Sequence, residues 1–210
     1  MTMIAIALIF ICIVIPAVVL HEYAHAWVAD KLGDPTARLR GRLSFNPLKH
    51  IDPVGTVLVP LLLYLPYAIG WTQSPIIFGF AKAVPFNPLN LRHPRRDIML
   101  VRLAGPCMNI LIALVFAKAM GFVQEPHAYK FFATAVMLNL GLAVFNMLPI
   151  PPLDGSGVLY AILPVKLLPV LARVDSFVGV VIVFTMLNLH WLDFMDNIIF
   201  TLARWMGVGA

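Results

Sequence analysis

His21, Glu22 and His25 follow the spacing His-Glu-x-x-His, and they close an uncharged apolar run that fills residues 1–20. On a helix, residues i and i+4 share one face, so both imidazoles can reach a single ion while Glu22 stands beside them near its bound water. Ionisable groups at bilayer depth cost ~2.5–3.5 kcal/mol each by insertion scales, so a compensating interaction is required. Metal ligation supplies it. The chain holds six His and two Glu, and a chance match to this spacing is expected on the order of a few times per thousand such sequences. The competing reading is a pair of histidines buried as hydrogen-bonded packing residues.

A catalytic zinc needs a third protein ligand and an open fourth position for water. His50, His93, His127, His190 and the aspartates are all available. Asp154 stands out because it directly follows an apolar run and lies in the Pro-rich stretch Pro149-Ile150-Pro151-Pro152-Leu153-Asp154-Gly155, which cannot remain regular helix. Broken backbone at membrane depth is tolerated where it lines a cavity or a site. Locally, a capping Asp at the start of the next helix explains the same residues equally well.

The elements that must position these groups are apolar. The chain has 210 residues, 61% of them hydrophobic and 12% charged, with a mean hydropathy of +0.91, too little polar surface to coat a soluble globule. This predicts an all-α polytopic membrane protein with about five to six transmembrane or re-entrant segments, forming a single domain over residues 1–210. The first apolar stretch lacks a basic leading region and runs straight into the motif, so it reads as a retained span. The formal charge of +5 does not indicate nucleic acid, because ten of the fifteen basic residues fall in two blocks beside apolar spans, residues 31–49 and 82–102. Basic residues placed there mark cytoplasmic loops. Cys12 and Cys107 lie far apart in apolar surroundings and support neither a disulfide framework nor a Cys-based metal site.

Helix is predicted over 2–29, 98–120, 131–148 and 177–192, with an interfacial helix near 198–205. Residues 36–45 alternate polar with apolar side chains, which predicts a short β-strand or hairpin element near 36–46 at the membrane surface. Segment 54–69 is apolar but short and carries Pro60 and Pro66. A Pro-rich connector, 71–97, follows it.

Three motifs in this order resemble the site-2 protease family of intramembrane zinc metalloproteases, over about residues 1–160. They are His21-Glu22-x-x-His25 at the end of the first span, Gly105-Pro106 with Asn109 in a middle span, and Asn146-x-x-Pro149-x-Pro151-x-Leu153-Asp154-Gly155 after a later one. The resemblance implies that His21, His25 and Asp154 hold one Zn2+ per chain, that Glu22 is the general base, and that Asn146 stabilises the reacting carbonyl or positions substrate. It further implies a transmembrane protein substrate, met within the lipid bilayer of a bacterial or archaeal cell membrane. A PDZ or paired CBS module has no room in this sequence. A zinc transporter and an inactive scaffold of the same fold are the alternatives, and the sequence assigns no oligomeric state. If Asp154 meets the histidines, helices one and 131–148 must run in the same direction. Segment 54–69 must then enter and leave on one side, or the connector must return the chain. The N-terminus would lie outside and the site would open toward the cytoplasm. Asn109 is expected mainly to pack beside Gly105, with a kink at Pro106.

Overall fold

The computed structural model describes residues 8–71, 82–169, 176–188 and 192–209. Among the described residues three helices are long and apolar enough to cross a membrane: α1 (Phe10–Lys31), α4 (Pro94–Met120) and α5 (Pro126–Asn146). Between and after them lie α2 (Thr36–Leu39), α3 (Val59–Ala68), α6 (Ser156–Ile162), α7 (Ser176–Asn188) and α8 (Phe194–Trp205).

Two long helices begin four or five residues earlier than their apolar runs predicted, at the prolines that precede those runs. Pro94 opens α4, and buried Asp97 reaches back to accept the His93 N–H at 2.8 Å, which satisfies a donor the helix leaves orphaned. Pro126 opens α5, and the Glu125 carboxylate accepts the His127 and Ala128 N–H groups at 3.0 and 2.6 Å. Pro106 stays inside α4 rather than ending it.

α4 packs between α1 and α5 and runs antiparallel to both. Val101 lies beside His25, while Asn109, two turns further on, reaches Ala17, two turns earlier in α1. On the other flank Asn109 meets Asn139, and Phe116 meets Phe132 with ring centroids 5.5 Å apart. α1 and α5 therefore share a direction, as the ligand argument required. Small side chains, among them Ala17, Ala113, Ala135 and Ala143, fill the contact faces, which lets helix backbones approach closely where lipid offers no hydrophobic drive. Ile11, Leu111 and Val115 point outward and are exposed, the faces that hydrocarbon would cover.

One expectation changes. Residues 36–46 form no strand; the described residues are helical or irregular throughout. Asp34 accepts the Thr36 N–H and hydroxyl, which starts the single turn α2, and the Arg40 N–H bonds the Thr36 carbonyl. Gly41 then turns the chain with φ 64°, a conformation open to glycine. The alternation of Arg38, Arg40 and Arg42 reflects separate partners: Arg38 pairs with Asp30 at 2.8 Å, whereas Arg42 donates to the Lys49 and Lys82 carbonyls. With the strand goes any edge there for an extended peptide to join. Segment 54–69 is short, as its length suggested, and consists of a π-helical stretch, Pro53–Leu58, leading straight into α3. At 1.5 Å per residue the continuous helix over 53–68 rises at most about 24 Å, short of the ~30 Å hydrocarbon core. How the chain returns depends on 72–81, which lie outside the described residues.

The far half of the connector is tied down. Buried Asp34, just past α1, accepts from Asn87 N–H at 2.6 Å and from Asn90 Nδ2 at 2.7 Å, besides Thr36. Burial alone would raise this carboxyl, but the bonds from Thr36, Asn90 and Asn87 outweigh it and hold its pKa below the ordinary aspartate value. Because the folded-state pKa is depressed, the stabilisation is present above the unfolded pKa and is lost as pH falls through the folded one. Asp34→Asn puts an NH2 against at least one of these donors and should destabilise the protein by about 1–3 kcal/mol at neutral pH. The deficit should shrink as parent and variant are melted at progressively lower pH. Equal melting points at pH 7 would dismiss this role for Asp34.

Candidate metal centre and active site

His21, Glu22 and His25 lie on the last turns of α1 and are all buried, with 8–9% of their surface exposed. His21 Nδ1 bonds Asn109 Oδ1 at 2.6 Å, and His25 Nδ1 bonds the Val101 carbonyl at 2.7 Å. Both acceptors belong to α4. Asn109 is oriented in turn, since its Nδ2 donates to Asn139 Oδ1 at 3.1 Å. A carbonyl can only accept, so the His25 proton sits on Nδ1, and the asparagine chain assigns the His21 proton likewise.

Both Nε2 atoms are then left as bare lone pairs, and they face each other at 3.0 Å. The Asp154 carboxylate, in the turn between α5 and α6, completes the group with Oδ2 at 3.1 Å from His21 Nε2 and 3.2 Å from His25 Nε2. Two buried imidazole nitrogens and a half-buried carboxylate oxygen in van der Waals contact repel unless a cation sits among them. A tetrahedral zinc with bonds of ~2.0–2.1 Å needs ligand atoms roughly 3.3 Å apart, so the triangle fits that ion to within a few tenths of an ångström. These three are the group of His, Cys, Asp and Glu that could hold a metal among the described residues. They leave a fourth corner free.

Gly105 of α4 makes room for the group. A Cβ there would lie 2.5 Å from His21 Nε2 and against His25 Nε2 as well. Gly155 has the same character beside Asp154: its Cβ would strike the Met147 carbonyl, and its N–H bonds the Asn146 carbonyl at 2.6 Å.

Glu22 lies beside the triangle, and its Oε2 accepts the Val84 N–H at 3.1 Å, so the connector passes directly over the carboxylate. Burial pulls Arg42 below its ordinary pKa while the Glu22 charge opposes that, so the guanidinium and the carboxylate share one field. Asn146 ends α5, where its Nδ2 donates to the Leu142 carbonyl of the same helix at 2.9 Å. Of the other histidines, His93 and His127 are exposed at helix starts, and His190 lies outside the described residues. His50, another of the available histidines, is buried and bonds the Ser44 carbonyl at 2.8 Å. Sequence reasoning missed the part played by Asn109, which it set down as packing. The signal was available, because Asn109 stands one helical turn after Gly105, and a buried amide in a span calls for a partner.

Residues 121–189 match the model of peptidase family M50. Over 173 residues the chain is 35% identical to YwhC of Bacillus subtilis strain 168, named as a candidate zinc metalloprotease, an alignment that covers 75% of this chain and 70% of that protein. The chain belongs to peptidase family M50. This agrees with the resemblance carried by its three motifs and makes it a metalloprotease of the site-2 type, in an integral membrane protein with three helices among the described residues that are long and apolar enough to cross a membrane. The Rip2 proteins of Mycolicibacterium smegmatis and Mycobacterium tuberculosis H37Rv, likewise named as candidate zinc metalloproteases, are 34% and 33% identical over 143 residues, which are 67% of this chain. This M50 chain spans about half the length of each Rip2 protein, 51%. No solved structure matches it at a significant level.

Proposed function

We propose that this M50 protease hydrolyses peptide bonds in or near the transmembrane segments of other membrane proteins. His21, His25 and Asp154 would hold one zinc ion, with Glu22 as general base. The observation that carries this reading is the pair of Nε2 lone pairs facing each other at 3.0 Å with a carboxylate oxygen beside both. When bound, zinc acidifies water to a pKa near ~7 and polarises the scissile carbonyl. Glu22 takes the water's proton and passes it to the departing amine. The Val84 N–H holds Oε2 in place, which leaves Oε1 to carry the proton. Asn146, turned away from Leu142, would donate to the developing oxyanion, a contribution typically worth ~10²–10³ in rate.

A helical substrate hides its carbonyls in i to i−4 bonds, so it must unwind locally before attack. His25 stands six residues before the end of α1, about 9 Å below that end, on the side where Lys31, Arg92, Arg95 and Arg96 gather. By the positive-inside rule that side is cytoplasmic, in the cell membrane of a bacterium or archaeon, and the site opens toward it. The whole chain serves as one protease domain.

Metal analysis of the purified chain should give a zinc stoichiometry near one, and a chelator should stop cleavage of a single-span model peptide until zinc is restored. Metal-free protein that cleaves at the parent rate would overturn the proposal. Asn146→Ala in the same assay should slow turnover at unchanged melting temperature; a drop in stability with parent turnover would assign Asn146 to helix packing instead.

A further inference from the structure

The two histidines are each oriented by a partner on α4, but among the described residues the Asp154 carboxylate bonds the imidazoles alone, and its place depends on the backbone of its turn. Arg102, also on α4, holds that turn. Its Nη1 lies 3.4 Å from the Pro152 carbonyl, 3.3 Å from the Leu153 carbonyl and 3.1 Å from Ser156 Oγ, so it grips the chain on both sides of Asp154. Ser156 Oγ closes the loop by donating to the Leu153 carbonyl at 2.7 Å. The arginine stem fits a notch in α6 that exists because residue 157 is glycine. A Cβ there would come within 2.6 Å of Arg102 Cδ and 2.7 Å of its Cβ.

We infer that Arg102 is a positioning residue for the third metal ligand. Resting on the metal assignment proposed above, this completes a pattern in which one helix orients every ligand: Asn109 for His21, the Val101 carbonyl for His25, and Arg102 for Asp154. The geometry explains the choice of arginine. Three acceptors that converge on one nitrogen from both sides of Asp154 call for a charged donor on a long stem, which apolar neighbours in a span cannot supply. Groups that orient metal ligands in this way typically change metal affinity ~10–100-fold when removed.

A built-in control sits two turns earlier on the same helix. Arg95 donates to the Tyr160, Ala161 and Leu163 carbonyls at the far end of α6, so it ties the same two elements together without touching the Asp154 turn. Zinc affinity of the intact chain in detergent, measured by chelator competition, should fall about 10–100-fold for Arg102→Met. Arg102→Lys should recover part of that loss, and Arg95→Met should stay within about twofold of the parent. Parent-like affinity in Arg102→Met, or an equal loss in Arg95→Met, would overturn the inference. Should Arg102→Met fail to fold, Ser156→Ala carries the test, with a several-fold weakening expected and unchanged affinity counting against it. A parent protein that binds no zinc would instead bring down the metal assignment beneath it.

Discussion

Glu22→Gln should leave one zinc bound per chain and lower cleavage of a transmembrane peptide by ~10²–10⁴-fold, the range typical for loss of a general base. The expectation follows from where Glu22 stands. Its carboxylate is buried beside the Nε2 pair without belonging to the ligand triangle, and its one polar contact among those described is the Val84 N–H. Glutamine keeps the size of the side chain and an oxygen that can accept from Val84, so the packing and the ligands should be undisturbed. What it lacks is an oxygen able to take a proton. Equal zinc content, equal melting temperature and near-complete loss of turnover form the expected set of results. A Gln variant that cleaves within tenfold of the parent would show that another group moves the proton, and Asp154 would be the next to test.

How far this site could be read before any fold was known differs by residue. His21, Glu22 and His25 declare themselves, because the three lie within two turns of one helix and their geometry is local. Asp154 does not. On local features a capping role fits it as well, and its approach to the imidazoles depends on α5 sharing the direction of α1, on the turn closing against Asn146 through Gly155, and on Arg102 reaching across from α4. None of that is periodic. The strand expected at 36–46 failed for a related reason. Its polar positions alternate because Arg38 answers Asp30 and Arg42 answers carbonyls of the connector, and a period of two produced by scattered partners looks the same in sequence as one produced by a sheet. The spans were legible because the only requirement on them is an apolar surface of sufficient length. Asn109 sits between these cases: its burial was foreseeable, but a bond 88 residues away to His21 was not.

Gly105→Ala should abolish zinc binding and activity together, a larger effect than one methyl group ordinarily brings. Overpacking a core by that amount costs typically ~1–3 kcal/mol and is relieved when a flexible side chain swings aside. Here neither neighbour can swing. The added Cβ would stand 2.5 Å from His21 Nε2, 2.6 Å from His21 Cε1 and in contact with His25 Nε2, and each ring is pinned at Nδ1 by a residue of the same helix that carries the methyl group. Relief requires one of two movements. Rotating the rings breaks the bonds to Asn109 and Val101, while moving α1 from α4 separates both histidines from the helix that orients them. Either one scatters the lone pairs that face each other in the parent. Gly121→Ala provides the comparison, since at the end of α4 a Cβ would meet only the Lys118 carbonyl at an ordinary 3.5 Å. That variant should bind zinc and cleave like the parent. Zinc content measured on the two purified proteins decides the matter: a Gly105→Ala protein holding one zinc and turning over normally would mean that the close approach of α4 to the imidazoles is not what shapes the site.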